Sequence, residues 1–209
     1  YVAQAQNGQY RLVSRPRRLR FGFAAQSAEM PFSVAVAQSV TAAAAASGVE
    51  LLLLDNCQDP DVAIQNAQEF VERRVDLVLE FQVEEYVAPH VAHILKKADI
   101  PLVAVDVPHP NATYFGVDNF EVGYEAGALL GQYAQRKWKS KVDWVLGVGF
   151  SEAGSFVQSR ITGAFEGIRE KLKDLPQENY IRLEGRGMRG PSQKAVTGFL
   201  SQHRKGQRV

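Results

Sequence analysis

The chain has 209 residues, a formal net charge of +1, and 45% hydrophobic and 22% charged residues. These proportions are ordinary for a globular domain and argue for no general affinity toward nucleic acid, membranes or acidic partners. The single cysteine, Cys57, excludes an intrachain disulfide and a cysteine-rich zinc site, and no run approaches the ~20 apolar residues of a membrane-spanning helix.

Residues 1–18 differ in character from the rest. Two strand-like runs, 1–6 and 9–13, flank Asn7-Gly8, a strong hairpin signal because both turn positions need φ > 0. A basic linker, Arg15-Pro16-Arg17-Arg18, follows. The segment reads either as a solvated leader or as the wing of a winged-helix DNA-binding domain whose helices precede it.

From residue 19 the rhythm is regular. Strands are expected at 19–24, 49–54, 75–81 and 101–105, alternating with helices at 31–47, 60–73 and 84–98. The first helix presents Phe32, Val36, Ser39, Val40 and Ala43 on one face and ends at Gly48, as helices commonly do. Strand 49–54 is apolar on both faces, the pattern of a parallel sheet covered on both sides. Asp59 caps the second helix, which turns Val62, Ala63, Ala67, Phe70 and Val71 inward. Such alternation means βαβ units with right-handed crossovers.

The stretch 101–132 changes this pattern. An apolar run ends on Asp106 and a Pro- and His-rich loop, and a second short run, 113–117, follows. Asp118 then occupies a helix N-cap position, with Gly123, Ala126, Gly127, Leu130 and Gly131 at helical spacing behind it. Here the chain leaves one α/β series and begins another: strand 142–148, helix 156–172, strand 180–183, helix 192–204, and an approach to a strand at 207–209. The second series is the shorter one. As an open half-sheet it would expose an apolar edge and face, so further residues after 209 are expected to complete it.

Several segments resemble the ribose-binding type of periplasmic sugar-binding protein, whose type I fold also serves as the effector domain of LacI-type and some GntR-type regulators. Residues 20–24 with Met30-Pro31-Phe32 resemble that family's first strand and turn, and 55–61 with the helix 63–70 resemble its second unit. Ile100-Pro101-Leu102-Val103-Ala104-Val105-Asp106 resembles a characteristic strand. Phe115-Gly116-Val117-Asp118-Asn119 with Gly123 and Gly127 resembles the start of the second lobe, and Gly149 through Gly163-Ala164-Phe165 resembles the segment bearing a ligand-binding arginine. The resemblance covers about 19–209. After the leader or wing-like hairpin and basic linker at 1–18, it implies an N-terminal α/β lobe at 19–110 and a partial C-terminal α/β lobe at 111–209. The lobes are Rossmann-like with parallel sheets, joined by a hinge and closing over a small polar ligand. Open α/β sheets independently favour binding at the C-terminal ends of their strands.

Each candidate side chain also has a plainer reading. Phe32 offers a ring to the apolar face of a sugar or is a core residue, and Gln26 lies nearby. Asp106 ends a buried strand, where sugar hydroxyls would satisfy an otherwise costly carboxylate; otherwise it is a turn residue. The family usually places Arg next, and this chain has Val107. Glu80 stands where the family often has Asn, and is either a second acceptor toward the cleft or a solvated strand end; Gln82 is its substitute. Arg160 matches the family's arginine and offers a guanidinium fork to ring oxygens, or is an exposed helix residue. Gln158 and Phe156 lie within a turn of it.

Two catalytic motifs fail on inspection. Gly147-Val148-Gly149-Phe150-Ser151-Glu152 has Glu where a dinucleotide fingerprint needs its last Gly. Ser151 in Gly149-Phe150-Ser151-Glu152-Ala153 resembles a nucleophile elbow, with only His203 following it in the required order. No metal spacing is present, and no cofactor is expected. What the resemblance implies is a non-catalytic, extracytoplasmic solute-binding protein that captures a sugar or polyol and passes it to the membrane subunits of an ABC transporter. The alternative is the ligand-sensing domain of a dimeric, cytoplasmic LacI- or GntR-type regulator that reaches DNA through a preceding domain.

Overall fold

In a computed structural model, residues 2–6, 9–13, 18–82 and 84–203 of the chain are described. β1 (Val2–Gln6) and β2 (Gln9–Val13) pair antiparallel with Val2 opposite Val13 and Gln6 opposite Gln9, the hairpin that Asn7-Gly8 leads one to expect. The turn itself, the linker at 15–17 and the strand expected at 207–209 lie outside the described residues.

A five-stranded parallel sheet follows, in the order β4-β3-β5-β6-β7. Its strands are β3 (Arg20–Ala25), β4 (Glu50–Asp55), β5 (Leu77–Glu80), β6 (Leu102–Val105) and β7 (Thr113–Phe115). The helices α1 (Pro31–Ala46), α2 (Pro60–Glu72) and α3 (Ala88–Lys97) connect the first four strands. On one face Ala63, Ala67 and Phe70 of α2 and Val91 and Leu95 of α3 enclose Ala24, Val78 and Leu102. On the other, Val36, Ala37 and Val40 of α1 cover Phe23, Ala25, Phe81 and Val105.

Asp59 caps α2 as expected, its Oδ1 accepting from the N–H groups of Asp61 at 2.8 Å and Val62 at 3.2 Å. Gly48 follows α1 at φ +68°, where a side chain would be strained. Three local expectations need correction. The inward stripe of α1 is Ser33, which is buried, with Val36, Ala37, Val40 and Ala44 half-buried, while Phe32, Ser39 and Ala43 are exposed. An alanine-rich helix gives a weak amphipathic signal, so the face was set one position off. The third helix begins as a 3-10 turn, Glu85–Val87, and becomes α-helical only at Ala88, since Pro89 lacks an N–H and suits a first turn. Finally, β4 is an edge strand, and Leu53 is exposed; parallel pairing holds, but coverage on both faces does not.

After β7 the chain enters α4 (Asn119–Trp138), with Asp118 Oδ1 accepting from the Glu121 N–H at 3.0 Å. A second parallel sheet pairs β8 (Val145–Gly149) with β9 (Tyr180–Glu184), from Val145 opposite Tyr180 to Gly149 opposite Glu184. α5 (Gly154–Lys171) joins them, and α6 (Arg189–Gln202) follows. α4 and α5 meet backbone to backbone. A Cβ on Gly123 would strike the Arg160 carbonyl, and one on Gly127 the Ala164 carbonyl. From the other side, a Cβ on Gly163 would strike the Phe120 carbonyl and one on Gly167 the Tyr124 carbonyl.

Gly127→Ala is therefore expected to lower stability by about 1–3 kcal/mol through overpacking. Leu129→Ala, on the exposed side of the same helix, should change it by less than about 0.5 kcal/mol. Urea unfolding midpoints of the two variants would check the contrast.

Candidate functional site

The C-terminal ends of β3, β5, β6 and β8 carry the candidate side chains, where open α/β sheets present their loops to ligands. Asp106 directly follows β6. It sits at φ +62°, in the left-handed region that Asp tolerates better than most residues, and its N–H donates to the Phe115 carbonyl at 3.0 Å. Backbone geometry thus lifts its carboxylate out of the β6–β7 ladder. Partial burial raises the Asp106 pKa, and the Arg160 guanidinium lowers it in part. Burial is the larger effect.

Arg160 belongs to α5 and is exposed. Its charge is also felt by Tyr114 on β7, whose phenol is pushed up by burial and by Asp106, and pulled down by Arg160. The Tyr114 ring packs edge-on against Phe156 of α5, with centroids 5.5 Å apart, and its hydroxyl donates to the Val117 carbonyl at 2.9 Å. Asp106, Tyr114, Phe156 and Arg160 thus form one cluster where the first sheet faces α5. Phe32 stands 61% exposed at the start of α1, its ring edge-on to Phe81 at 5.9 Å. An exposed phenylalanine held against a buried one is a ring face ready for an apolar partner.

The other candidates occupy different surroundings. Gln26 is buried and its Nε2 donates to the Met30 sulfur at 3.0 Å. Gln158 is engaged within its own layer: its amide nitrogen donates to the Phe150 carbonyl and its Oε1 accepts from Arg182 at 3.2 Å. Glu80 and Gln82 are both fully enclosed, so the reading of Glu80 as a solvated strand end is wrong. Because residues of β5 alternate faces, Glu80 falls on the side packed by α2. There its Oε1 accepts from Asn56 Nδ2 at 2.8 Å, and Asn56 Oδ1 accepts from Asn66 Nδ2 at 2.9 Å. Enclosure pushes the Glu80 pKa up to about 8, against the opposing Asn56 bond, so this carboxyl is largely neutral at pH 7.

Sequence reasoning missed Tyr114, Glu85 and Ser155. Tyr114 lay in the short run 113–117, to which no ligand role was given. The other two meet across 70 positions, with the Glu85 Oε2 accepting from the Ser155 N–H at 2.8 Å. Ser151, considered as a nucleophile, donates its hydroxyl to Glu184, and His203 stacks on Phe199 beside Trp144.

Two grooves elsewhere compete for attention. The one between α1 and β4, about 560 Å³, is walled by Ala37, Thr41, Ala45 and Leu53 and offers few polar groups to a hydroxylated ligand. A wider one, about 860 Å³, lies along β9 and α6 beside Arg186 and Lys194. The first has no basic residue in its walls. The second does set Glu184 beside Arg186, Lys194 and Phe199, but draws all of them from β9, α6 and the loop between, whereas the Asp106–Arg160 cluster joins the first sheet to α5.

The sequence profile of the periplasmic binding protein domain family matches residues 21–207. Among solved structures, the chain is similar to an ABC transporter solute-binding protein from Mycobacterium smegmatis with bound glycerol, at 20% identity and a TM-score of 0.75, over 90% of this chain and 63% of that one. A second protein from Mycobacterium smegmatis, in complex with β-D-fucofuranose, matches at 24% identity and a TM-score of 0.75, over 90% and 62%. The Caulobacter myo-inositol binding protein, bound to myo-inositol, matches at 16% identity and a TM-score of 0.76, over 94% and 65%. The chain thus spans less than two thirds of the length of each. No curated protein sequence matches it.

The enclosed carboxyl gives a pH signature. Its pKa near 8 exceeds the ordinary 4.5, so between those values the folded state binds more protons than the unfolded one. Stability from this group is present below about pH 4.5 and is lost as pH rises toward 8, with a slope of up to about 1.4 kcal/mol per pH unit. Glu80→Gln keeps an acceptor for Asn56 and should remove that slope. In urea titrations its stability advantage should grow from about pH 5 to about pH 8.

Proposed function

Because the chain belongs to the periplasmic binding protein domain family, we propose that it captures a sugar or related polyhydroxylated molecule between two α/β lobes. The first lobe carries the five-stranded sheet and the second α4, α5 and the β8–β9 sheet. The observation that carries this reading is the cluster of Asp106 and Tyr114 from one side with Phe156 and Arg160 from the other, with Arg160 close enough to act on the Asp106 carboxyl and both charges acting on the Tyr114 phenol.

A carboxylate accepts hydrogen bonds from sugar hydroxyls, a guanidinium donates to ring and hydroxyl oxygens, and charge assistance strengthens both. Aromatic rings supply a surface for the C–H faces of a pyranose, furanose or cyclitol. A ligand that is itself neutral lets Asp106 and Arg160 keep their mutual balance. The solved relatives bound to glycerol, fucofuranose and myo-inositol carry ligands of this chemistry. No bond need be made or broken: the ligand is held as the lobes close, and closure is what a partner recognises. On this reading the partner is the membrane portion of an ABC transporter and the protein works outside the cytoplasm. The regulator alternative is not favoured, since the relatives described above are a transporter's solute-binding protein and sugar or polyol binders.

Thermal denaturation against a panel of sugars and polyols, myo-inositol and glycerol among them, tests the proposal. At least one neutral member should raise the melting temperature. Asp106→Asn, which keeps a residue tolerant of φ > 0, should cost at least about tenfold in affinity for that member, in line with the loss of a charge-assisted bond, while the ligand-free melting temperature stays close to that of the unchanged protein. A panel without any stabilising member would count against sugar capture.

A further inference from the structure

The N-terminus of α5 has no cap from its own segment. Ala153 occupies the N-cap position and offers no acceptor, leaving the first N–H groups of the helix to find partners elsewhere. The partner comes from the other lobe. Glu85, in the 3-10 turn ahead of α3, places its Oε2 2.8 Å from the Ser155 N–H and 3.0 Å from the Ser155 hydroxyl. A carboxylate at this end of a helix also meets the positive end of its dipole. Gly154 makes the approach possible: it sits at φ +82°, and a Cβ there would strike Glu85 itself.

A second contact spans the lobes independently. The Met30 methyl at the start of α1 lies against Gly187 in the loop after β9, at φ +65°, where a Cβ would collide with that methyl. Two glycines with positive φ thus stand where the lobes touch, each open to one side chain from across the gap.

We propose that Glu85 is an interlobe latch, a helix cap supplied by one lobe to the other, which biases the ligand-free protein toward its closed arrangement. The inference rests on the binding-protein reading for its purpose, since closure matters only if the lobes enclose something. Opening returns both the Glu85 carboxylate and the α5 N-terminus to water. Both Glu85 and Ser155 are exposed, so the bias is modest and screened by salt. A latch of that size holds the lobes near closure without trapping a ligand.

Spin-label distance measurements on ligand-free protein test this directly. Cys57 is the chain's one cysteine and is exposed; a second label at Lys173→Cys, exposed beyond α5, reports the separation of the lobes. The unchanged protein should show a short-distance population. Glu85→Ala should shift the ratio toward longer distances by about two- to fivefold, and Glu85→Gln, which keeps an acceptor without the charge, by less and with no dependence on salt. Superimposable distributions for Glu85→Ala and the unchanged protein would overturn the latch. So would a Glu85→Ala protein that loses helical circular dichroism at unaltered distance, because Glu85 would then be a local cap only. No sugar enters the measurement, so a chain that bound none would still report the latch, and a failed latch would leave sugar binding to be judged by the thermal panel.

Discussion

The glycine-lined contact between α4 and α5 is the constraint on which the candidate site depends. α4 is the first element after the crossing from β7, and Gly123 brings its backbone against the Arg160 carbonyl. That contact fixes where α5 begins and how its first two turns face the first sheet. Phe156 and Arg160 lie on those two turns, and they reach Tyr114 and Asp106 only because no side chain separates the helices. A larger residue at Gly123 or Gly163 would move the whole second half of the cluster at once. Close packing leaves no slack to absorb such a change locally.

Much of this was legible in the sequence because it rests on strong, local signals. The βαβ alternation, the caps at Asp59 and Asp118 and the glycines at Gly123, Gly127 and Gly131 each follow from one residue's conformational or hydrogen-bonding needs. The parallel pairing of apolar strands was legible too. What failed was orientation and coverage. Alanines in α1 carry too little contrast to set its buried face, and Leu53 looks the same in sequence whether β4 is central or at an edge. Glu80 shows a different limit: a carboxylate at a strand end reads either as an acceptor toward a cleft or as solvated, and only the Asn56–Asn66 chain reveals that it is enclosed. The bridge from Glu85 to Ser155 had no local signal, since each residue is unremarkable without the fold that joins them.

The electrostatics divide the acidic groups near the strand ends into two kinds. Glu80 is sealed in the first sheet and largely neutral, so it acts as a hydrogen-bonding part of the core. Asp106 is only partly buried and shares its field with Arg160, so it remains available to a ligand. The first costs stability as pH rises, whereas the pKa of the second is raised by partial burial and drawn back in part by Arg160. That separation explains how one sheet can hold two carboxyls at neighbouring strand ends without strong repulsion.

The central claim is that ligand contacts come from both lobes at once. Hydrogen exchange with and without a saturating concentration of the most stabilising sugar tests it most directly. The account predicts added protection in two separate places, at Asp106–Val107 with the Tyr114 segment and along the first turns of α5 from Ser155 to Arg160. Protection confined to one side, or spread instead along the α1–β4 groove, would contradict it.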